Sequence, residues 1–450
     1  MKRNKLGMMA FSLLAVASFA TSCGDPTDNP IGGNYGDWTS VERFELKETD
    51  IGTSTTIKDG LLDKYTDSDE GALKIGLVTD SGTLNDHSFN ESAWKGVNAF
   101  ANANGGGKIT GDGVKTGKVR TMYAQPSGGF TAQTRLAAMR SVADWGADVI
   151  VLPGYLFQGA ISLTLNDPDF KDVYFLALDC AETDDDNKPI EFNDRITSVI
   201  YREEQCGYLA GYAAVMDGYR KLGFVGGVAV PAVIRYGSGY VQGAADAAKE
   251  LNLSSPITCQ YYYAGAFEGT AEATTYANTW YSTGAADIIF ACGGSVYTSV
   301  LSASKANNYA PWIGVDVNQH ADTSIEKNKD ELDAVLGSIK TSAMKNLTFA
   351  TQVLLTTWVN EGEQWSKDLQ GNVVTVGAKS EMVKLPTAED NDPGCWGFKN
   401  FTEDDYHALY GKIKDGTVTV NSNSDNDELS KNNFGVDPKY CTVNYISSVQ

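Results

Sequence analysis

The residues between 80 and 90 combine the side chains that a small polar ligand needs. The stretch carries a ring, a hydroxyl, amides and carboxylates: Asp80, Asn85, Asp86, Ser88, Phe89 and Asn90. A ring can stack on a flat ligand, while amides and carboxylates distinguish hydrogen-bond donors from acceptors. Since none of these groups is a nucleophile with an adjacent base, the chemistry favours binding over catalysis.

A buried strand and an amphipathic helix are expected to hold this turn in place. An apolar run at 74–79 precedes it, and an amphipathic stretch at 89–104 follows it. In open α/β sheets, ligands bind at the carboxyl ends of the strands. We therefore expect the turn to lie at such an edge and to face a ligand.

Strand-like and helix-like patterns alternate from residue 73 onward. The apolar runs lie at 74–79, 149–152, 173–178, 222–225, 288–292, 313–315 and 334–339. Amphipathic stretches of helical length separate them, at 89–104, 131–146, 203–216, 239–251, 271–284, 296–307 and 341–360. The alternation predicts an α/β fold with parallel sheets flanked by helices, and the length of the chain predicts two such lobes.

The first residues predict export. A positive start and an apolar stretch at 6–20 are followed by Thr21-Ser22-Cys23, which resembles a bacterial lipoprotein signal. We expect residues 1–22 to be removed and Cys23 to carry lipid; the alternative is ordinary secretion, with Cys23 an incidental thiol. Residues 23–72 are polar and are interpreted as a tether and N-terminal extension. No later segment is apolar for about 20 residues, so no other membrane span is predicted.

Composition and motifs exclude several classes of protein. The formal net charge of −21 argues against nucleic-acid binding. The histidines are isolated and no C-x-x-C pair is present, so neither a metal site nor any cofactor is predicted. The chain also has no phosphate-binding glycine motif and no nucleophile elbow, and no enzymatic activity is expected.

Several blocks together resemble the basic membrane protein family of bacterial extracytoplasmic binding lipoproteins, which includes purine nucleoside receptors. The first block is D-H-S-F-N-E-S-A-W-K-G at 86–96. The others are Y-R-E-E-Q-C-G-Y-L-A-G-Y-A-A at 201–214, G-F-V-G-G-V-A-V-P-A-V-I-R-Y at 223–236, G-Y at 239–240, G-A at 243–244, G-G at 293–294, I-G-V-D-V-N-Q at 313–319 and T-S-A-M-K-N at 341–346. They occur in family order between about residues 73 and 360.

The resemblance implies a type I periplasmic-binding-protein-like fold, with three crossing segments and a ligand cleft between two lobes. We place lobe 1 at 73–198, lobe 2 at 199–317, and a return segment completing lobe 1, with a divergent tail, at 318–450. The implied function is substrate binding for an ABC importer, with a nucleoside as ligand and the transporter permease as partner. The implied location is extracytoplasmic, lipid-anchored to the bacterial cell membrane.

The resemblance also implies roles for individual residues. Phe89 and Tyr236 would sandwich a base, and Asn85, Asp86 and Asn90 would read its polar edges. Asp316 would accept hydrogen bonds from ribose hydroxyls, and Lys345 would donate to the sugar or pair with Asp316. Phe157 lies in a loop expected to border the ligand, and Gly294 would allow close approach of the backbone.

Other functions stay open at this point. The ligand could be a sugar or another small metabolite, because related folds also hold sugars between aromatic rings. An enzyme acting on nucleosides or glycans is a second alternative. A third is a ligand sensor that signals to a membrane kinase instead of supplying a transporter.

Overall fold

The computed structural model describes residues 48–80, 83–129, 131–184, 188–390 and 392–447. The predicted signal peptide at 1–22 and the predicted lipidation site, Cys23, lie outside these residues. In chain order, the strands are β1 Leu73–Val78, β2 Ile109–Thr110, β3 Gly113–Val114, β4 Val119–Ala124, β5 Val149–Pro153, β6 Tyr174–Leu178, β7 Ile196–Tyr201, β8 Lys221–Gly226, β9 Ile257–Tyr263, β10 Ile288–Cys292, β11 Trp312–Asp316, β12 Ile339–Lys345, β13 Asn372–Val376, β14 Val383–Lys384 and β15 Cys441–Ile446. The α-helices are α1 Phe89–Ala103, α2 Ala132–Asp144, α3 Gln158–Thr164, α4 Glu203–Asp217, α5 Pro231–Glu250, α6 Ala271–Thr283, α7 Tyr297–Ala306, α8 Lys329–Ser338, α9 Leu347–Asn360, α10 Glu403–Lys414 and α11 Asn426–Lys431.

Two large sheets form the centres of two lobes. The sheet of the first lobe has the strand order β13-β7-β6-β5-β1-β4, and that of the second lobe has the order β14-β12-β11-β10-β8-β9-β15. Pairing is parallel except between β12 and β14. The central strands β5 and β10 are buried along their whole length, as expected for sheets with both faces covered. The predicted α/β fold with two parallel-sheet lobes is confirmed.

The chain passes between the lobes three times within the described residues. It leaves the first sheet after β7, returns between β12 and α9, and leaves again between β13 and β14. These crossings differ from the predicted boundaries, because β7 still belongs to the first sheet and β12 pairs in register with β11 of the second. Of the predicted return segment at 318–450, helix α9 packs on α1, and strand β13 joins the first sheet.

Helices α4 and α5 pack backbone to backbone through glycines. A Cβ atom at Gly211 of α4 would lie 2.0 Å from the carbonyl oxygen of Tyr240, and one at Gly243 of α5 would lie 2.0 Å from that of Tyr208. Cβ atoms at Gly207 and Gly239 would lie almost as close to backbone carbonyl oxygens, at 2.2 and 2.1 Å. Only glycine permits such contacts, so these residues determine how closely the two helices approach.

The tail extends the second lobe. Strand β15 pairs in parallel with β9 at the edge of the second sheet. Helix α10, which begins with a Thr402–Asp405 capping box, packs on α4. The Tyr410 hydroxyl donates to the carbonyl oxygen of Val383 at 2.9 Å, just beyond the third crossing. The tail is therefore packed against the second lobe and a crossing segment.

Candidate functional site

The amino terminus of α1 is capped by Asp86. Its carboxylate accepts hydrogen bonds from the backbone N–H groups of Ser88 and Asn90, both at 2.9 Å, and of Glu91 at 3.2 Å. These are among the N–H groups that a helix cannot pair internally. Burial raises the pKa of Asp86 to about 6, although these hydrogen bonds oppose the rise.

Asn90 is tied into the same turn. Its side-chain amide donates to Asp80 Oδ1 at 3.1 Å and to Asp86 Oδ2 at 3.0 Å, and it is buried. Asn85, in contrast, is exposed. Of the three residues predicted to read the ligand's edges, two therefore have structural hydrogen bonds within the first lobe, and a ligand role for all three stays a prediction.

Asp316 joins the lobes at the carboxyl end of β11. Its backbone has a φ of +63°, a conformation that is strained for a residue other than glycine. The carboxylate is 5% exposed and accepts from the Tyr236 hydroxyl at 3.2 Å and from Ser88 Oγ of the first lobe at 2.7 Å. Burial raises its pKa, while the nearby Lys345 ammonium opposes the rise. The strained backbone thus presents a buried carboxylate to both lobes.

Lys345 lies in a buried charge cluster at the carboxyl ends of β6 and β12. Its ammonium contacts Asp179 Oδ2 and lies 2.8 Å from Glu203 Oε1, while Arg235 Nε donates to Glu203 Oε2 at 2.6 Å. Burial raises the pKa of Asp179 to about 7, against the influence of Lys345. Two cations and three carboxylates, counting Asp316, therefore share one buried region, in which the ammonium connects an acid from each lobe.

Aromatic rings from both lobes surround the same ammonium. Lys345 Nζ lies 5.1 Å from the ring centre of Phe89, 5.3 Å from that of Tyr201 and 5.6 Å from that of Tyr236. Such distances allow cation–π attraction. The structure therefore brings together four of the predicted residues, Phe89, Tyr236, Asp316 and Lys345.

The remaining predicted residues lie in two strand-end turns. Gly294 has a φ of +54°, and a Cβ atom there would lie 2.5 Å from the carbonyl oxygen of Phe267, so its close neighbour is protein backbone and a ligand role stays a prediction. Phe157 is fully buried in the core of the first lobe. It is not among the aromatic residues that the structure places around Lys345. Its neighbour Tyr155 instead lies across the lobes from Phe267, with the ring centres 6.2 Å apart.

Sequence reasoning missed Asp179, Glu203, Arg235 and Tyr201. Asp179 could have been found, because it directly follows the apolar run 173–178 just as Asp316 follows the run 313–315. In the structure both residues have a positive φ, at +59° for Asp179. Glu203 and Tyr201 occur in the 201–214 block that was interpreted only as a family resemblance. Nothing local in the sequence indicates that these residues meet Lys345.

Glu204 makes stability depend on pH. Its side chain is fully buried in α4, and Oε1 accepts a hydrogen bond from Arg202 Nε at 2.5 Å. Burial raises its pKa from 4.5 to about 7, although Arg202 opposes the rise. The folded protein thus binds this proton more tightly than the unfolded chain does. The stabilisation that results is complete below pH 4.5 and is lost as the pH rises through 7.

We expect Glu204→Gln to flatten the pH dependence of stability. The wild-type free energy of unfolding should fall more steeply than that of the variant between about pH 4.5 and 7.5, as measured by urea unfolding at several pH values. Glu272→Gln, at an exposed position of α6, is the control and should follow the wild type. Parallel curves for wild type and Glu204→Gln would contradict the prediction.

Comparison with known proteins identifies the family. A sequence model of the Bmp family, described as "ABC transporter substrate-binding protein PnrA-like", matches residues 73–393. The "ABC transporter nucleoside-binding protein BmpA" of Lactococcus lactis is 31% identical over 256 residues, which cover 55% of this chain and 64% of that protein, slightly under two thirds of its length. A "CD4+ T-cell-stimulating antigen" of Listeria monocytogenes is 29% identical over 326 residues, covering 70% of this chain and 81% of that protein.

Solved structures support the fold. An ABC transporter solute-binding protein from Aeropyrum pernix K1 aligns with a TM-score of 0.57 and 18% identity, over 80% of this chain and 96% of its own. One from Conexibacter woesei aligns with a TM-score of 0.56 and 18% identity, over 78% and 99%. In the described part of the chain, every helix is too short or too polar to cross a bilayer. The family match spans well over half of the chain, and the protein therefore belongs to the Bmp family of PnrA-like ABC transporter substrate-binding proteins.

Proposed function

We propose that this protein binds a nucleoside, in particular a purine nucleoside, between its two lobes and delivers it to the permease of an ABC importer. We further propose that it acts outside the cytoplasm, anchored through lipid on Cys23. The observation that carries the ligand proposal is the meeting of Phe89 and Tyr236, from opposite lobes, at the Asp316 and Lys345 side chains. The name of the Lactococcus relative, a nucleoside-binding protein, gives independent support.

The chemistry of the cluster suits each part of such a ligand. Aromatic rings offer faces for a base, and each stacked pair contributes about 0.5–1.5 kcal/mol beyond burial. Buried carboxylates accept hydrogen bonds from sugar hydroxyls, and such bonds to charged groups contribute roughly 1.5–3 kcal/mol. An ammonium has three N–H donors, and Lys345 directs two of them towards Asp179 and Glu203. The third donor would serve the ligand.

Contacts between the lobes support the proposal that they close on the ligand. Ser88 of the first lobe donates to Asp316 of the second, and His87 Nδ1 lies 2.6 Å from Asp322 Oδ2. A ligand that touches both lobes stabilises the closed arrangement by its difference in affinity for the closed and open states. The permease would then recognise the closed, loaded protein.

Calorimetric titration tests the proposed ligand. The form beginning after Cys23 is unfolded and refolded to remove carried ligand, then titrated with adenosine, guanosine, inosine, cytidine, uridine and ribose. We expect purine nucleosides to bind one-to-one and ribose not to bind. Phe89→Leu should bind purine nucleosides about tenfold more weakly than wild type, because one stacking face is lost. Tyr276→Leu, on α6 away from the cluster, is the matched control.

Two other outcomes would change the proposal. Absence of binding for every nucleoside would refute the nucleoside assignment, and binding of ribose or another sugar alone would favour the sugar-binding alternative.

The proposed lipid anchor is tested separately by cell fractionation. Full-length Cys23→Ser should leave the membrane fraction, and its retention there would contradict the lipid anchor.

A further inference from the structure

The hydroxyl of Tyr201 is a buried polar group, and the packing around it gives no reason for a hydroxyl at this position. Tyr201 ends β7 and is 0% exposed. Among the described residues, its hydroxyl has no hydrogen-bond partner. An unpaired buried hydroxyl costs about 1–3 kcal/mol, so native proteins rarely retain one without a use. Phenylalanine would fill the same volume at no such cost.

This hydroxyl lies close to the charge cluster around Lys345. The charged groups that act on it are Asp179, Lys345, Glu203 and Asp316. The Tyr201 ring also lies beside the Lys345 ammonium, as do the rings of Phe89 and Tyr236. The hydroxyl thus lies where charged groups from both lobes meet.

A second unpaired group lies on the neighbouring strand. Asp179 follows β6, which pairs with β7, and its Oδ2 contacts Lys345. Its other oxygen, Oδ1, is buried and has no hydrogen-bond partner among the described residues. A hydroxyl that can donate or accept and a carboxylate oxygen that can only accept therefore stand unpaired at adjacent strand ends.

We propose that Tyr201 is a ligand-binding residue whose hydroxyl, together with Asp179 Oδ1, holds an alcohol group of the ligand. The ligand O–H donates to Asp179 Oδ1, and its oxygen accepts from the Tyr201 hydroxyl. An alcohol satisfies both groups at once. A phosphate or carboxylate would accept from Tyr201 but would be repelled by Asp179. The inference rests on the proposed function, in which the alcohol is a sugar hydroxyl of the nucleoside.

The test pairs one conservative substitution with ligands that lack single hydroxyls. Wild type and Tyr201→Phe are titrated calorimetrically with adenosine and with its 2′-deoxy, 3′-deoxy and 5′-deoxy forms. We expect adenosine to bind Tyr201→Phe about tenfold more weakly than wild type. For one of the deoxy forms, the two proteins should bind equally, because the group that Tyr201 reads is absent. Equal affinities of the two proteins for adenosine would overturn the inference.

Thermal unfolding of the ligand-free proteins provides a readout that is independent of ligand identity. Removing an unpaired hydroxyl should leave the Tm of Tyr201→Phe equal to or above that of wild type, whereas a structural hydroxyl would lower it when removed. A lower Tm would therefore overturn the inference. Failure of the wild type to bind adenosine would instead refute the nucleoside proposal. The Tm comparison would then still decide the role of the hydroxyl.

Tyr240→Phe is the matched control. The Tyr240 hydroxyl is likewise buried and unpaired among the described residues, but its electrostatic neighbours are Cys259, Tyr281, Cys441 and Tyr219 instead of the charge cluster. Its removal should leave adenosine affinity unchanged. A loss of affinity equal to that of Tyr201→Phe would show a general effect of losing a core hydroxyl and would overturn the assignment to Tyr201.

Discussion

Lys345→Met is expected to lower the free energy of unfolding by about 3–5 kcal/mol. The substitution keeps an unbranched chain of similar length but removes the ammonium that contacts Asp179 and Glu203. The Glu203 side chain is fully buried and that of Asp179 is 9% exposed, and an uncompensated charge at such sites costs far more than a lost surface pair. Urea unfolding of the ligand-free protein, followed by tryptophan fluorescence, measures the change.

Two further variants separate the lost charge from lost packing. Asp179→Asn added to Lys345→Met should recover part of the stability, because Glu203 keeps Arg235 as its partner at 2.6 Å. Lys431→Met, whose side chain is 77% exposed, should change stability by less than about 0.5 kcal/mol. A loss below about 1 kcal/mol for Lys345→Met would mean that the cluster is not electrostatically coupled as described.

Gly211→Ala is expected to destabilise the protein by about 1–3 kcal/mol, at the upper end of that range. The added methyl group would lie 2.0 Å from the Tyr240 carbonyl oxygen, and no side-chain rotation can relieve a clash with backbone. Helices α4 and α5 would have to separate. Since α4 carries Glu203 and α5 carries Arg235 and Tyr236, the substitution should also weaken ligand binding.

Gly411→Ala is the matched control for this prediction. Gly411 lies within α10, and a Cβ atom there would have no neighbour within 4 Å. Without a clash, the better helix propensity of alanine should stabilise the protein by roughly 0.5–1 kcal/mol. Opposite signs for the two substitutions in urea unfolding are the expected result. Stabilisation by Gly211→Ala would contradict the close helix contact.

Local patterns predicted many elements well. The helix predicted at 89–104 corresponds to α1 at Phe89–Ala103, and the helix predicted at 271–284 corresponds to α6 at Ala271–Thr283. The prediction for residues 334–360 was wrong in detail. The residues predicted as the strand 334–339 mostly end helix α8, and the strand is β12 at Ile339–Lys345. Short apolar runs do not distinguish a strand from the end of a buried helix.

The sequence by itself determined the α/β class, the two-lobe organisation and the family, because alternating periodicity and residue blocks are local properties. It also singled out Phe89, Tyr236, Asp316 and Lys345 as candidate ligand-binding residues, which the structure brings together. Only the tertiary structure decided that Lys345 is shared by Asp179 and Glu203 of different lobes, and that Phe157 belongs to the core. The physical reason is that three chain crossings bring together residues far apart in sequence, and burial there pairs their charges.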